Sequence, residues 1–458
     1  MGKYFGTDGF RGEAGVTLTS DHAYRIGRFL GWYYSDGGKR KVKVVVGKDT
    51  RRSSYMFEYS IVAGLTASGA DVYMLHVTTT PSVSYVAVGD DFDCGVMISA
   101  SHNPFYDNGI KLVNRKGEKI SDETIERIEW YLDEEYEKLG LDGGGIPFAT
   151  GEEIGKIIDY AAGRNRYIGY LISLSRYSFK DFNVGLDCAN GSAWMIAKSV
   201  FEALGAKVFA IGINPNGINI NDKTGSTHIE HLSDFVKEKK LDIGFAFDGD
   251  ADRCIAVDES GNVVNGDHIL YILARELKKC SQLENNTIVT TVMSNMGLYT
   301  ALRKEGIDYT LTSVGDRYVY ENMQQTGNCL GGEQSGHIII RKYATTGDGI
   351  LTAIKLMEAV VGSKLPLSKL AEDVKMLPQL TKNIRVENKC AAINNEAVKA
   401  RIEEISRELS GKGRILLRPS GTEPVIRVMA EAESKEECLK YIDSVVGLIS
   451  ELGLSSEV

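Results

Sequence analysis

Short runs of β-branched and other apolar residues alternate with helix-spaced patterns along most of the chain, which predicts parallel α/β sheets flanked by helices. After Thr19-Ser20-Asp21, a helix start, apolar residues recur at Ala23, Ile26, Leu30 and Tyr33 on one helical face. Residues 43–46 then read as a buried strand, 57–67 as a helix, 71–77 as a strand, and 95–99 as a strand running into a polar loop at 100–108. A charged, glycine-rich stretch over 133–155 places the edge of the first domain near its end. The pattern restarts with strands at 184–187, 208–211 and 243–247 and helices at 193–204 and 229–239. A third round begins near Gly266, with helices at 269–277, 298–304 and 349–361 and a strand at 287–292. Beyond about Val374 the rhythm changes: strand-like stretches at 414–417 and 425–431 lie between helical ones at 395–409 and 435–452. The reading is an α/β protein of three related mixed α/β domains, 1–156, 157–260 and 261–373, with a smaller C-terminal α+β domain, 374–458.

Charge and cysteine usage narrow the class. The 458 residues carry 53 Lys+Arg against 62 Asp+Glu, a formal charge of −9, so no net positive field attracts nucleic acid or an anionic membrane. Seven scattered cysteines without a CxxC pair fit reduced thiols. The N-terminus has no apolar signal core and no run of 18 apolar residues occurs. The expectation is a soluble, cytoplasmic protein.

Chemistry concentrates in the loops. In Asp248-Gly249-Asp250-Ala251-Asp252-Arg253, three alternating carboxylates between apolar strands would repel one another without a hard cation, and oxygen ligands favour magnesium. An acidic turn in solvent is the plain alternative. A calcium EF-hand is excluded, because Arg253 stands where that loop needs glycine. Residues 98–104, Ile-Ser-Ala-Ser-His-Asn-Pro, form a tight turn at a strand's carboxyl end, where open α/β sheets place ligands; a serine displayed there can act as a nucleophile. His102 could be a base or simply hold the turn. Residues 418–424, Arg-Pro-Ser-Gly-Thr-Glu-Pro, with Arg427, suit a phosphate cradle, and a polar β-turn is the rival. Gly332-Glu333-Gln334-Ser335-Gly336-His337 offers groups for hydroxyl or amine recognition, and residues 5–12 present Arg11 between small residues.

Together and in this order, these loops resemble the α-D-phosphohexomutase superfamily along essentially the whole chain. The supporting stretches are residues 5–12, 99–104, 225–228, 314–319, 332–337 and 418–424. The resemblance implies three α/β domains and a C-terminal domain resembling the TATA-binding-protein fold, around a central active-site cleft. It implies a mutase that moves phosphate between the 6- and 1-positions of a hexose through a phosphoserine and a 1,6-bisphosphate, with one Mg²⁺ per site. The glucosamine phosphates fit best, since Gln334 and Asp316 differ from the Met and His usual in relatives acting on mannose and glucose phosphates. By the same resemblance Ser101 is the phosphoserine, and it shares the metal with Asp248, Asp250 and Asp252. Arg11, Lys111 and His337 lie near the transferring group, with Lys111 a candidate acid/base. Arg253, Asp316, Glu333 and Ser335 meet the sugar, while Arg418, Ser420, Gly421, Thr422 and Arg427 hold the other phosphate. Two departures stand out: Thr224 where many relatives have cysteine, and Ala251 where this subgroup often has glycine. The expected partner is a small phosphosugar, and the assembly a monomer or homodimer. A metal-dependent phosphatase and a non-catalytic phosphosugar-binding module are the remaining alternatives.

Overall fold

The computed structural model describes residues 2–141, 145–419 and 425–456. The first sheet has seven strands in the order Phe5–Gly6, Gly9–Glu13, Asp107–Asn114, Cys94–Ile98, Lys43–Lys48, Asp71–Val77, Ile157–Asp159. The four from Cys94–Ile98 onward run parallel, while Asp107–Asn114 and Gly9–Glu13 join antiparallel. Lys43–Lys48 explains why its sequence reads as continuously apolar. Val44 and Val46 enter one core, with the helices Ser20–Tyr34 and Arg52–Ala67, and Val45 enters another, with the helix Thr80–Gly89. Successive side chains face opposite ways, so a strand covered on both faces needs apolar residues at every position. Helix Ser20–Tyr34 starts where expected, at Thr19, whose hydroxyl accepts from His22 N while His22 Nδ1 accepts from Thr19 N.

The second sheet runs Val263–Val264, Cys254–Val257, Ile243–Phe247, Asn183–Asp187, Lys207–Ile211, and the third Asp308–Thr312, Thr287–Thr291, Leu330–Gly332, Ile338–Ile340. In both, parallel strands at the centre end in loops, one opening with Asp248 and the other with Glu333.

Three expectations are corrected. Ile157–Asp159 pairs with Asp71–Val77, so the first sheet continues past residue 156. That strand is short and Ile157 is 60% exposed, which removes the apolar run a sequence reading needs. The helix expected over 193–204 breaks into a 3₁₀ turn, Ser192–Met195, and a helix, Ala197–Ala203, because Ser192 N and Oγ both donate to Gly249 O and anchor its start. The helix Met296–Lys304 does not group with the third sheet. The chain forms two compact units, residues 1–293 with 307–372, and 294–306 with 373–458. Within the second unit, Met296 N donates to Glu431 and Arg414 Nη2 to Ser294 O.

The second unit carries three antiparallel strands, Gln379–Arg385, Val425–Glu431 and Arg414–Pro419, where the sequence suggested two. Of Gln379–Arg385 only Ile384 is buried, which hid the strand. Helices Glu396–Glu408 and Lys435–Glu451 cover the core of this unit. No helix among the described residues is long and apolar enough to cross a membrane.

Candidate active site

Strand Cys94–Ile98 is buried throughout and delivers the turn that carries Ser101. Ser101 adopts φ +53°, a left-handed backbone unfavourable for a residue with a Cβ. The turn is closed by Asn103 N on Ala100 O at 3.1 Å, and Ser101 N donates to Ser99 Oγ at 3.0 Å. Ser101 Oγ donates to Asp248, and His102 Nδ1 lies 3.3 Å from the same oxygen. Burial, then Arg253 and Arg11, push the His102 imidazole down to about 3. It is therefore neutral near pH 7 and free to accept a hydrogen bond.

The acidic loop leaves the buried strand Ile243–Phe247 at Asp248. Ala251 sits at φ +57°, which accounts for glycine being common there, since glycine has no Cβ to strain. Gly249 permits a close approach: a Cβ on it would come within 2.5 Å of Ser101 O. Asp248, Asp250 and Asp252 are buried and each offers a carboxylate oxygen, all within 4.8 Å of one another. Burial first, then Asp252 and Asp250, drive the Asp248 carboxyl well above its usual range. Asp250 Oδ1 and Asp252 Oδ1 are buried without a hydrogen-bond partner among the described residues. Three convergent carboxylates, two of them with an unpartnered oxygen, match what a hard divalent cation requires. Thr80 steadies the loop, its Oγ1 donating to Asp250 Oδ2 at 2.5 Å and its N to Asp250 O at 3.0 Å.

A chain of charges extends from this loop. Lys111 Nζ, on strand Asp107–Asn114, lies 2.8 Å from Asp250, 3.1 Å from Asp252 and 3.1 Å from Asp8. Burial disfavours its charge, but the three carboxylates outweigh burial and hold Lys111 as an ammonium. Asp8 also pairs with Arg11, whose Nη1 reaches Asn103 Oδ1 at 3.3 Å. Lys119 completes the line: its Nζ donates to Thr7 O at 3.1 Å, Asp8 Oδ1 at 2.9 Å and Asp316 Oδ1 at 2.8 Å. His337 stands between Asp316 and Asp252, at 3.5 and 3.6 Å, and its Nε2 accepts from Gly347 N at 3.0 Å. Asp316, expected to meet the sugar, is thus engaged by Lys119. A cavity of about 340 Å³ opens beside Asp8, Lys111, Lys119, Asp252 and Asp316, a size usual for small-molecule sites.

In the loop after Leu330–Gly332, Glu333 is half-buried and its Oε1 accepts from Gly315 N at 3.0 Å, while Ser335 is exposed with its Oγ 3.5 Å from Glu333 Oε2. Burial opposes the Arg253 charge, but the carboxylates of Asp248, Asp252 and Glu333 outweigh it and raise the guanidinium. The structure therefore brings together Ser101, His102, Arg11, Lys111, the acidic triplet, Arg253, Asp316, Glu333 and His337. In the second unit, Arg418 and Arg427 are direct cross-strand partners. Burial and then the Arg427 charge lower the Arg418 guanidinium, so two like charges converge where an anion would relieve them. Ser420, Gly421 and Thr422 lie outside the described residues.

Sequence reasoning missed Asp8, Thr80 and Lys119. Asp8 had a signal, since it lies inside the opening loop beside Arg11; the other two stand in ordinary polar contexts.

Comparison with known proteins identifies the family. Family profiles for the phosphoglucomutase/phosphomannomutase alpha/beta/alpha domains I, II and III match residues 2–139, 165–261 and 265–377, and that for its C-terminal domain matches 382–448. The phosphoglucosamine mutase of Lachnospira eligens is 62% identical over 454 residues, 99% of each chain. That of Bacillus subtilis is 50% identical over 455 residues, 99% of this chain and all of the other. Among solved structures, a phosphoglucomutase/phosphomannomutase family protein of Burkholderia thailandensis superposes with a TM-score of 0.78 at 23% identity, covering 98% of both chains. Aspergillus fumigatus N-acetylphosphoglucosamine mutase, solved with GlcNAc-6P and magnesium, gives 0.69 at 16% identity, covering 98% and 96%. The chain belongs to the phosphoglucomutase/phosphomannomutase family and, within it, to the phosphoglucosamine mutases.

Proposed function

We propose that the chain interconverts glucosamine 6-phosphate and glucosamine 1-phosphate, with Ser101 carrying the phosphoryl group between turnovers, and so supplies amino-sugar nucleotide synthesis for the cell wall. One observation carries the assignment of roles: Ser101 Oγ, at the end of a buried strand, donates into an acidic triplet that also holds Lys111. Full-length relatives with the same activity support the substrate class.

Asp248, Asp250 and Asp252 would hold Mg²⁺ jointly with the Ser101 phosphate, and the ion when bound supplies positive charge against the phosphoryl oxygens. The phosphoryl passes from Ser101 Oγ to the free sugar hydroxyl: the P–Oγ bond breaks, a P–O bond to the sugar forms, and the hydroxyl proton replaces the one that Lys111 gives to the serine oxygen. Lys111, held as an ammonium, returns a proton to the departing serine oxygen, and in the reverse direction takes it back. Neutral His102 and Arg11 keep the turn and its carbonyls in place. The resulting 1,6-bisphosphate turns round, and its other phosphate returns to Ser101. Arg253, Glu333 and Ser335 would hold the sugar through both poses, and Arg418 and Arg427 the phosphate that is not reacting.

Seven free cysteines, five of them buried, support a cytoplasmic enzyme, and the net negative charge supports one without nucleic acid or membrane partners. The test is a coupled assay on glucosamine, glucose and mannose phosphates with phosphopeptide mapping of the active enzyme. Highest turnover on glucosamine phosphates and one phosphate on Ser101 are expected. Near-normal turnover in Ser101→Ala, or preference for another sugar, would refute the respective half of the assignment.

A further inference from the structure

The buried pair Arg51–Asp49 is unusual in its cost. Both side chains are fully buried, Arg51 being the largest such side chain among the described residues, and the two are joined by an ion pair. A buried ion pair is weak evidence of added stability, so the other contacts of its guanidinium matter. Arg51 Nη2 donates to Ser101 O at 3.2 Å and to Asn103 O at 2.5 Å. Asn221, more than a hundred residues along the chain, donates its Nδ2 to the same two carbonyls, at 2.9 and 3.0 Å. Asn221 is itself fixed, its N bonding Ala189 O at 2.9 Å. Two donors from distant segments thus converge on the two carbonyls that flank His102, inside the turn that displays Ser101.

We infer that Arg51 and Asn221 are positioning residues that clamp this turn in its left-handed backbone and so aim Ser101 Oγ at the acidic loop. Two physical needs support the clamp. The left-handed conformation at Ser101 is disfavoured for any residue with a Cβ and persists only where its surroundings over-determine it. The Ser101 carbonyl also crowds Gly249 of the acidic loop, where its lone pairs would add to three carboxylates. A guanidinium and an amide N–H occupy those lone pairs, and the guanidinium's own charge is balanced by Asp49, which is further held by Ser54 Oγ at 2.6 Å. Neither Arg51 nor Asn221 is assigned any contact with sugar, so their loss should slow transfer without weakening substrate binding.

The inference rests on Ser101 being the phosphoryl carrier, and the experiment separates the two. Full-length protein, freed of phosphate, is mixed with Mg²⁺ and glucosamine 1,6-bisphosphate, and the rate of phosphate capture on Ser101 is followed by quenched peptide mapping. Wild type that captures no phosphate at Ser101 overturns the carrier assignment itself. Given capture by wild type, Asn221→Ala should capture about 10²-fold more slowly, the scale of an ångström-sized misplacement at a reacting centre, with KM for glucosamine 6-phosphate within about twofold of wild type. Asn221→Asp, isosteric but without the N–H donors, should be at least as slow; a side chain needed only for packing would leave it near wild type. Arg51→Lys keeps the charge opposite Asp49 but loses the planar fork, and should slow capture likewise. If that variant fails to fold, the two Asn221 variants decide, since they leave the Asp49–Arg51 pair intact. Capture at the wild-type rate in Asn221→Ala and Asn221→Asp, or a KM that rises in step with the loss of rate, overturns the clamp.

Discussion

Replacing Asp250 with asparagine separates a metal ligand from a carboxylate that merely stabilises the fold. The side chain is fully buried, its Oδ2 accepts from Thr80 at 2.5 Å and from Lys111 at 2.8 Å, and Oδ1 has no partner among the described residues. At an effective dielectric of about 20, unit charges 4.8 Å apart, the outer limit for these oxygens, repel by about 3.5 kcal/mol, the least that Asp250→Asn relieves against each ionised neighbour in the triplet. The same change forfeits about 6 kcal/mol of attraction to Lys111 at 2.8 Å. With Asp248 protonated, as burial and its neighbours favour, only Asp252 repels and the variant loses about 2–3 kcal/mol; with both ionised the balance is near zero. The metal-free protein should therefore melt within a few degrees of wild type. Magnesium is different, since an ion at a hundred times its dissociation constant adds about 2.7 kcal/mol to the native state. Wild type should gain thermal stability through a Mg²⁺ titration, and Asp250→Asn should gain little, with turnover down by about 10² or more. The assay is melting in chelator and across the titration, run beside the coupled activity assay. A collapse of melting temperature in chelator would make the carboxylate structural. An undiminished Mg²⁺ shift in the variant would remove Asp250 from the ligand set.

Three further outcomes follow from named contacts. Lys119→Met leaves Asp8 and Asp316 without their shared ammonium, and should lower stability to denaturant by about 2–3 kcal/mol and kcat about tenfold, with Lys119→Arg recovering part; equal midpoints would show the bridge contributes nothing. Arg418→Ala removes charge-assisted bonds worth about 1.5–3 kcal/mol each, so kcat/KM should fall between about tenfold and a hundredfold in both directions, and unchanged kinetics would reduce the cradle to a surface turn. Burial first raises the Asp348 carboxyl from 3.8 to about 6, against bonds from Leu351 N and Tyr167 Oη that favour its charge. A raised acid pKa means that the folded state prefers the proton, so this carboxyl's contribution is best below pH 3.8 and is lost as pH rises to about 6. Relative to wild type, Asp348→Asn should therefore fare better at pH 8 than at pH 3.5 by about 3 kcal/mol, and a pH-independent difference would refute the assignment.

What was legible in the sequence had a local cause. Val44, Val45 and Val46 announce a strand covered on both faces, and the run over Ile243–Phe247 does the same just before the acidic loop. The triplet itself is legible because three alternating carboxylates have few other reasons to follow a buried strand. The residues that were missed act over long separations. Lys119 lies 197 positions from Asp316, and Asn221 lies 120 from Ser101, so no spacing rule could join them. Backbone strain was equally hidden: nothing marks Ser101 as left-handed, and Ala251 was read only as a departure from glycine until its φ of +57° gave the reason. Asp316 shows the converse limit. Its charge was legible, but not the ammonium of Lys119 that engages it.

Charge balance ties the metal to the phosphoserine and gives a final expectation. Around the acidic loop, six carboxylates (Asp8, Asp248, Asp250, Asp252, Asp316 and Glu333) meet four permanent cations (Arg11, Lys111, Lys119 and Arg253), an excess of two negative charges when all are ionised with the His337 imidazole neutral, and of one when it is protonated, which Asp316 and Asp252 favour against burial. A phosphate on Ser101 adds about 1.5–2 more. One divalent cation offsets the carboxylate excess alone, but it is most strongly required once the phosphate is present, because a buried uncompensated charge of that size is not tolerated. Ion binding and phosphorylation should therefore reinforce each other, and by linkage each should strengthen the other equally. Calorimetric titration of Mg²⁺ into phosphorylated and dephosphorylated full-length protein should show tighter binding to the phosphorylated form by about tenfold or more, or about 1.4 kcal/mol. Ser101→Ala should bind like the dephosphorylated form. Equal affinity for all three would mean that the ion and the phosphate do not share a site, and the roles assigned to Ser101 and to the triplet could not both stand.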